Sequence, residues 1–209
     1  FPVSSAFWWS FEYLNRFTQN WSYRNHGCEG SLCYVLAGSL AFSTVLPAVM
    51  STYRLLETYP RAAGAFRNFV PLRFVTHRRF HLALFVFSKV GLLFLGIFPN
   101  LLFPLLWLAP LFLLTSIQGL RGRHTIFSPL ARGDWRRVCL LGTAALCCGF
   151  FWEMWNARSL AHWVYHVPFV GGLRVFEMPV LGFLGYIPFG LECGVVADWL
   201  SGLCRKARP

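Results

Sequence analysis

The stretch from Phe151 to Glu192 reads FWEMWNARSLAHWVYHVPFVGGLRVFEMPVLGFLGYIPFGLE and places acidic residues among apolar and aromatic ones. A related pattern stands near the beginning of the chain. Each copy has a glutamate, an asparagine, a tryptophan and a tyrosine in the same order: Glu12, Asn15, Trp21 and Tyr23, then Glu153, Asn156, Trp163 and Tyr165. Pro47 and Pro188 follow the two tyrosines by 24 and 23 residues. Because the order and spacing of these residues are nearly the same in both copies, the sequence predicts an internal duplication.

The composition indicates the environment of the chain. Its 209 residues are 56 % hydrophobic and 18 % aromatic, and only 13 % are charged. Soluble domains carry roughly 25 % charged residues. The net charge is +11, but the basic residues stand in short blocks between apolar runs, as the positive-inside rule requires of membrane proteins. The sequence therefore predicts an integral membrane protein whose main partner is the lipid bilayer, and it argues against nucleic-acid binding.

Long apolar runs predict about six membrane spans, since about 20 apolar residues cross the hydrocarbon core. Pro47 is expected to kink the second span, Pro99-Asn100 splits the third from the fourth, and Pro179 and Pro188 interrupt the sixth. Residues 1–14 look like the outgoing part of a helix that starts earlier, and no signal peptide is recognisable. The predicted spans are residues 1–14, 30–53, two of about 19 residues within 80–120, 138–156 and 176–203.

The basic residues predict the orientation. The connections after spans two and four and the tail hold six, five and three of the 19 Lys and Arg residues, whereas the connections after spans one and five hold two each. The arginine-rich loops are therefore expected on the cytoplasmic side, in a bacterial inner membrane. Four spans separate the copies, so the repeat is parallel.

The expected fold is thus an all-α, polytopic transmembrane bundle with an internal parallel repeat, forming one transmembrane domain over residues 1–209. Copy one covers about 1–57 and copy two about 138–203, with a helical hairpin of about 80–120 inserted between them.

Acidic residues are the first candidates for chemistry. A charge at membrane depth costs about 2.5–3.5 kcal/mol on insertion scales and needs a partner or a role. Glu12 and Glu153 are expected at equivalent outer helix ends, each one turn before Asn15 or Asn156. They could form a carboxylate pair that holds a proton in an apolar pocket, or each could only hydrogen-bond the connection that follows it.

Two further acids belong to the last predicted span. Glu177 precedes Met178-Pro179 and suits a helix N-terminus, where an acid and a proline are common. Glu192 is expected about 22 Å deeper if the helix is continuous, one turn past Pro188. It is a functional candidate, with pairing to Lys89 as the structural alternative.

Histidines and cysteines give weaker signals. His77 and His81, like His162 and His166, are four residues apart and resemble iron ligands of membrane desaturases. The two pairs are expected on opposite sides of the membrane, so no metal centre and no cofactor are predicted, although a bound pigment or lipid fits the composition. Cys28 and Cys33 share one connection and could form a disulfide in an oxidising compartment.

The residues around Phe151 to Glu192 resemble the lycopene-cyclase-type domain of carotenoid synthesis, a family of small, duplicated multi-span units. The matching features are a helix ending in Trp152-Glu153, a connection closing with Trp163-Val164-Tyr165, and the Glu177-Met178-Pro179 segment with a later acid. The likeness covers residues 150–195 well and the first copy loosely. In that family two adjacent acids follow the proline, whereas here the next acid is Glu192.

The resemblance implies redox-neutral cyclisation of a polyene. A buried carboxylic acid protonates a double bond, aromatic faces stabilise the carbocation, and a second carboxylate removes a proton. The acid and base candidates are Glu153 and Glu192, with Glu12 and Glu177 next. The substrate-binding candidates are Trp9, Asn15, Trp21, Tyr23, Trp152, Trp155, Asn156, Trp163 and Tyr165. The aromatic residues alternatively form an interfacial belt.

Two other functions fit the same features. The chain could be a non-catalytic subunit of a photosynthetic or respiratory membrane complex that binds pigment, lipid or neighbouring helices. It could also be a small transporter with Glu192 and Lys89 on a polar path, although the spans carry few hydrophilic residues.

Overall fold

The computed structural model describes residues 1–25, 27–28 and 30–206, except for the side chains at 62–63 and 203–206. It is 69 % helical, which confirms the all-α class. The helices are α1 (Pro2–Thr18), α2 (Ser31–Phe42), α3 (Val45–Thr58), α4 (Pro60–Gly64), α5 (Arg78–Leu95), α6 (Pro99–Leu102), α7 (Leu105–Leu120), α8 (Arg136–Asn156) and α9 (Tyr186–Lys206). The strands are β1 (Trp21–Arg24), β2 (His162–Tyr165), β3 (Arg174–Val175) and β4 (Met178–Pro179). Short 3-10 turns cover Arg73–Thr76, Ser128–Arg132 and Val180–Gly185.

Three helical segments in the described part of the chain are long and apolar enough to cross a membrane. They are Ser31–Thr58, Arg136–Asn156 and Val180–Gly202. The helices α1 and α7 have 17 and 16 residues, and α5 carries three basic residues along its 18. Large apolar side chains such as Leu36, Leu40 and Leu93 are exposed. These features fit an integral membrane protein, because lipid is the environment in which such surfaces are stable.

The predicted last span begins too early. Phe176 has a left-handed backbone (φ 57°) and Glu177 follows it in the turn between β3 and β4. These two strands pair through Arg174–Pro179 and Val175–Met178. Helix α9 starts only at Tyr186, so Pro188 lies in its first turn, where a missing N–H breaks no helical bond. The expectations of a helix capped by Glu177 and of a kink at Pro188 are therefore wrong.

Two other predicted helix boundaries differ from those in the structure. Helix α1 does not end near Glu12 but continues to Thr18, where Gln19 in the left-handed conformation (φ 53°) closes it. The second predicted span is interrupted at Ser43-Thr44. This break lies one turn before Pro47, which has no N–H to donate to a carbonyl there.

The strands β1 and β2 join the two long connections of the chain. They pair antiparallel, with Trp21 opposite Tyr165 and Tyr23 opposite Trp163. One asparagine anchors each strand to the helix before it. Asn15 Nδ2 donates to the Trp21 carbonyl (2.8 Å), and Asn156 Nδ2 donates to the Trp163 carbonyl (2.8 Å). Each side-chain oxygen in turn accepts from the backbone N–H of the same tryptophan.

Helices α8 and α9 cross closely in the core. A Cβ on Gly190 of α9 would collide with the Leu141 carbonyl and would lie 2.8 Å from Ala145 Cβ. On the other side of the crossing, Gly149 of α8 lies against the Tyr186 ring. Small residues at such crossings allow membrane helices to approach through van der Waals packing.

Gly190→Ala should therefore lower the free energy of unfolding by about 1–3 kcal/mol, the usual cost of overpacking. Gly202→Ala is the matched control on the same helix, because nothing lies within 4 Å of its added Cβ, and it should leave stability unchanged or raised. Thermal unfolding in detergent, followed by tryptophan fluorescence, measures both. Equal midpoints for the two variants would contradict the close crossing.

Asn156→Ala should remove both anchors of β2 and lower the free energy of unfolding by about 2 kcal/mol, since buried backbone groups lose their partners. Ser159→Ala is the control, because that exposed hydroxyl only donates to the Trp155 carbonyl. Hydrogen exchange of the Trp163 amide checks the cause. An unchanged exchange rate in Asn156→Ala would show that the anchor contributes nothing.

Candidate functional site

A cavity of about 850 Å³ lies beneath the β1–β2 pair. Helices α1, α2, α3, α7, α8 and α9 and the segment before α9 also contribute to its wall. The lining is dominated by aromatic side chains from four separate parts of the chain: Trp8, Trp21, Tyr23, Trp107, Trp152, Trp155, Trp163, Tyr165, Tyr186 and Phe189. These dimensions fall within the range of small-molecule sites.

The strand pair explains how the two connections build one wall. Side chains alternate between the faces of a strand, so Trp21 and Tyr23 share a face with Tyr165 and Trp163 opposite them. All four line the cavity. Underneath, Trp107 stacks on Trp21 with ring centroids 5.8 Å apart. The wall therefore presents several rigid aromatic faces to one space.

Glu153 lies directly behind this wall. It is fully buried (0 % exposed) near the end of α8. Its Oε1 accepts hydrogen bonds from the hydroxyls of Tyr165 (2.6 Å) and Tyr186 (2.8 Å). Trp163 Nε1 donates to the Tyr165 hydroxyl (2.7 Å), which extends the chain of hydrogen bonds by one more member. The second carboxyl oxygen, Oε2, is buried without a hydrogen-bond partner.

Glu12 has a comparable arrangement on α1. Its Oε1 accepts from the Tyr23 hydroxyl (2.6 Å) and from the indole nitrogens of Trp8 (3.0 Å) and Trp21 (3.1 Å). Glu12 is half-buried, in contrast to Glu153. The phenols and indoles around both acids line the cavity, whereas neither carboxylate belongs to the wall among the described residues. Each acid can thus reach a ligand only through these phenols and indoles.

The phenols of the two strands are held in their neutral form. Burial, reinforced by the Glu12 carboxylate, raises the pKa of Tyr23 far above its usual range. Burial also raises the pKa of Tyr165, with Tyr186 and Glu153 adding to the effect. Each hydroxyl therefore keeps its proton at neutral pH and can donate it in a hydrogen bond.

The expected pairing of Glu12 with Glu153 is not formed. Each Oε1 is bound by its own set of aromatic donors, and Glu153 Oε2 has no partner. β1 supplies Glu12 with Tyr23, and β2 supplies Glu153 with Tyr165, so each acid is bound by a phenol from the strand that follows its own helix. The sequence could not show this, because the partners of a carboxylate depend on strand register.

Glu192 lies elsewhere. It is fully buried (0 % exposed), and both carboxyl oxygens lack a hydrogen-bond partner. The backbone N–H of Leu111 faces it outside normal hydrogen-bond geometry. Glu192 follows Tyr186 by six residues, about 9 Å along the helix axis and on a different face, and it does not line the cavity wall described above. Lys89 is exposed and forms no ion pair with it in the described part of the chain.

The remaining predicted residues divide into two groups. Trp152, Trp155 and Asn156 line the cavity, although Trp155 is 59 % exposed. Trp9 lies outside the described lining and instead donates from Nε1 to Ser39 Oγ of α2 (2.9 Å). Asn15 serves β1 as an anchor, and Glu177 is half-buried in the β3–β4 turn.

Sequence reasoning missed Tyr186 and Trp107. Tyr186 falls within the sixth predicted span, between the expected interruptions at Pro179 and Pro188, and no role is predicted for it there. In the structure it is the first residue of α9 and a donor to Glu153. Trp107 lies on α7, in the hairpin that was treated as an insertion. Its signal was faint, since it is the single tryptophan between residues 80 and 120.

Histidines and cysteines take up separate places. His162 lines the cavity, and His166 Nε2 lies 3.1 Å from Ser22 Oγ. Within the described residues, no three His, Cys, Asp or Glu side chains lie together as a metal site would require. Cys28 and Cys33 form a disulfide, with Cα atoms 5.4 Å apart.

Comparisons with known proteins leave the fold and the site to be interpreted on physical grounds. No protein-family model, curated protein or solved structure matches this chain significantly.

Proposed function

We propose that this integral membrane protein binds a hydrophobic isoprenoid, most concretely a polyene, in the aromatic cavity and cyclises it without a change of oxidation state. The resemblance to lycopene-cyclase-type domains suggests the substrate class. The observation that carries the proposal is the pair of cavity-lining phenols, Tyr165 and Tyr186, hydrogen-bonded to the buried acid Glu153. An apolar pocket with a few convergent polar groups is the usual form of a small-molecule site.

The aromatic wall of the cavity suits the carbocation intermediate of such a reaction. A volume of about 850 Å³ gives room for the end of a long polyene to fold into a ring. Indole and phenol faces carry negative potential, so they attract a cation above the ring. Trp107, Trp21 and Trp163 offer such faces around one space. A carbocation formed here is stabilised where water would otherwise quench it.

The reaction balances without an oxidant. A proton adds to a terminal double bond, and the electron pair of a second double bond closes the ring onto the resulting cation. The new cation then loses a proton from a neighbouring carbon, so the product is an isomer of the substrate. In our proposal Glu153 starts as the carboxylic acid and Glu12 as the carboxylate. Tyr186 or Tyr165 passes the first proton to the polyene as it receives one from Glu153. Tyr23 takes up the second proton as it gives its own to Glu12, and proton exchange with water restores both acids before the next turnover.

This assignment differs from the acid–base pair of Glu153 and Glu192 expected from the sequence. Glu192 has no hydrogen-bonded route to the cavity among the described residues, whereas Glu12 has three cavity-lining donors. Glu177 lies in the β3–β4 turn and, among the described residues, forms no hydrogen bond with either phenol network. Glu12 therefore replaces Glu192 as the partner of Glu153 in the proposal.

We also propose that α1, α5 and α7 cross the membrane together with the three long segments, and that the chain is a parallel duplication. Helices of 16–18 residues approach the length that the hydrocarbon core requires. Support for the duplication comes from Asn15 and Asn156, which make the same contacts to equivalent tryptophans. The arginine distribution supports cytoplasmic arginine-rich loops and a bacterial inner membrane.

Glu153→Gln is the direct test. Glutamine Oε1 can still accept from both phenols, but the side chain cannot supply a proton, so ligand binding should remain while turnover falls at least about 100-fold. The assay is conversion of an acyclic carotenoid by the purified protein, with product counted by mass spectrometry. In deuterium oxide the wild-type product should gain one deuterium.

Glu57→Gln is the matched control, because Glu57 Oε1 accepts from Tyr53 (2.7 Å) at an exposed site away from the cavity lining. It should leave turnover unchanged. Tyr186→Phe should lower turnover with little change in binding, since the ring stays and only the hydroxyl is lost. Full activity in Glu153→Gln, or product without deuterium, would contradict the role of Glu153 as the acid.

A second candidate is a non-catalytic subunit of a larger membrane complex. Phe150, Phe151 and Trp155 of α8 are 44–59 % exposed and form an outward aromatic face that would suit a neighbouring helix or pigment. A subunit should co-purify with a partner in fixed stoichiometry and should tolerate Glu153→Gln. A preparation that contains this chain alone and remains active would exclude that role.

A further inference from the structure

A second cavity lies at the arginine-rich end of the α5–α7 hairpin. Its volume is about 370 Å³, room for a phosphate group and several waters of about 30 Å³ each. The wall combines the first turn of α5, the last turn of α7 and the two 3-10 turns that precede α5 and follow α7. Its lining residues are Thr76, His81, Gly119, Gly122, Arg123, His124, Ser128, Ala131 and Arg132.

The charge of this cavity has one sign. Arg123 and Arg132 both line it, and no acidic residue does so in the described part of the chain. The ion pairs formed by described residues are Arg136–Asp134 and Arg137–Asp198. Neither Arg123 nor Arg132 is therefore neutralised by a carboxylate there, and two guanidinium groups remain available to an anion.

A buried polar group points to the same conclusion. His81 is only 4 % exposed, and its Nδ1 is buried without a hydrogen-bond partner. The ring is fixed in place, because a Cβ on Gly119 would collide with the imidazole. A buried nitrogen without a partner costs free energy, and His81 also lines the cavity, so a ligand there would lie beside this unsatisfied ring.

The backbone brings the two arginines to one space. Gly122 has a left-handed conformation (φ 68°) and turns the chain directly after α7. The following 3-10 turn, Ser128–Arg132, packs on the turn Arg73–Thr76 that leads into α5. Arg123 and Arg132, nine positions apart in sequence, thus reach the same cavity.

We propose that this cavity binds the phosphate group of an anionic lipid headgroup, with Arg123 and Arg132 as charged contacts and His81 in the wall beside them. The lipid source rests on the proposed crossing of the membrane by α5 and α7, which would place this end at the headgroup level. Basic pockets at helix ends on the cytoplasmic side are suited to such groups. The site is separate from the aromatic cavity and does not depend on cyclisation.

The test is native mass spectrometry of the full chain in detergent, titrated with phosphatidylglycerol or with phosphatidylcholine. The wild type should retain phosphatidylglycerol in preference to phosphatidylcholine. Each arginine near a headgroup contributes about fivefold in affinity, so Arg123→Gln with Arg132→Gln should weaken binding about thirtyfold. Arg121→Gln is the matched control, since that neighbouring arginine does not line the cavity, and it should bind as the wild type does.

Calorimetric titration with inorganic phosphate separates the two sources of a phosphate group. Arginine-dependent binding of phosphate alone, without a preference for phosphatidylglycerol, would assign the site to a free ion and overturn the lipid source. Binding of both probes that is unchanged in the double variant would overturn the site itself. Circular dichroism checks the fold of each variant, and the single variants replace the double one if it does not fold.

Discussion

The two hydrogen bonds from Tyr165 and Tyr186 to one oxygen of Glu153 connect three separate parts of the chain. Tyr165 belongs to β2, Tyr186 begins α9, and Glu153 lies near the end of α8. A buried carboxyl group without these donors would be costly in an apolar interior. Satisfying it requires β2 to lie over the crossing of α8 and α9, and this requirement fixes the position of the cavity wall.

The cavity wall also depends on the pairing of β1 with β2. Two strands of four residues are too short to be stable alone, yet each is fixed by an asparagine one helix turn after a glutamate. The aromatic side chains on the shared face therefore all line the same cavity. The disulfide Cys28–Cys33 joins the connection that leaves β1 to the first turn of α2.

The sequence predicted the helical class and the membrane environment, because these follow from composition. Its repeated local pattern also singled out Glu12 and Glu153 together with Tyr23 and Tyr165, which the structure places beside them. It did not predict that the two carboxylates would bind separate sets of donors. Strand register and the start of α9 decide that outcome, and both depend on long-range contacts. Tyr186 illustrates the limit, since its role arises from a 3-10 turn that a hydropathy pattern reads as continuous helix.

Glu192 shows a different limit. A deep acid beside a proline is a reasonable functional candidate, but its distance from the cavity depends on where the helix begins. With α9 starting at Tyr186, Glu192 lies about two turns further on and faces α7 near Leu111. Among the described residues this buried carboxyl group has no hydrogen-bond partner.

The central claim is that the aromatic cavity holds an isoprenoid. The most direct measurement is the absorption spectrum and mass spectrum of small molecules that co-purify with the chain from a carotenoid-producing membrane. Our account predicts a polyene bound to the wild type, and its loss in Ala161→Trp, where a new indole would occupy part of the cavity. A colourless wild-type preparation free of isoprenoid, or equal amounts of polyene in both proteins, would contradict it.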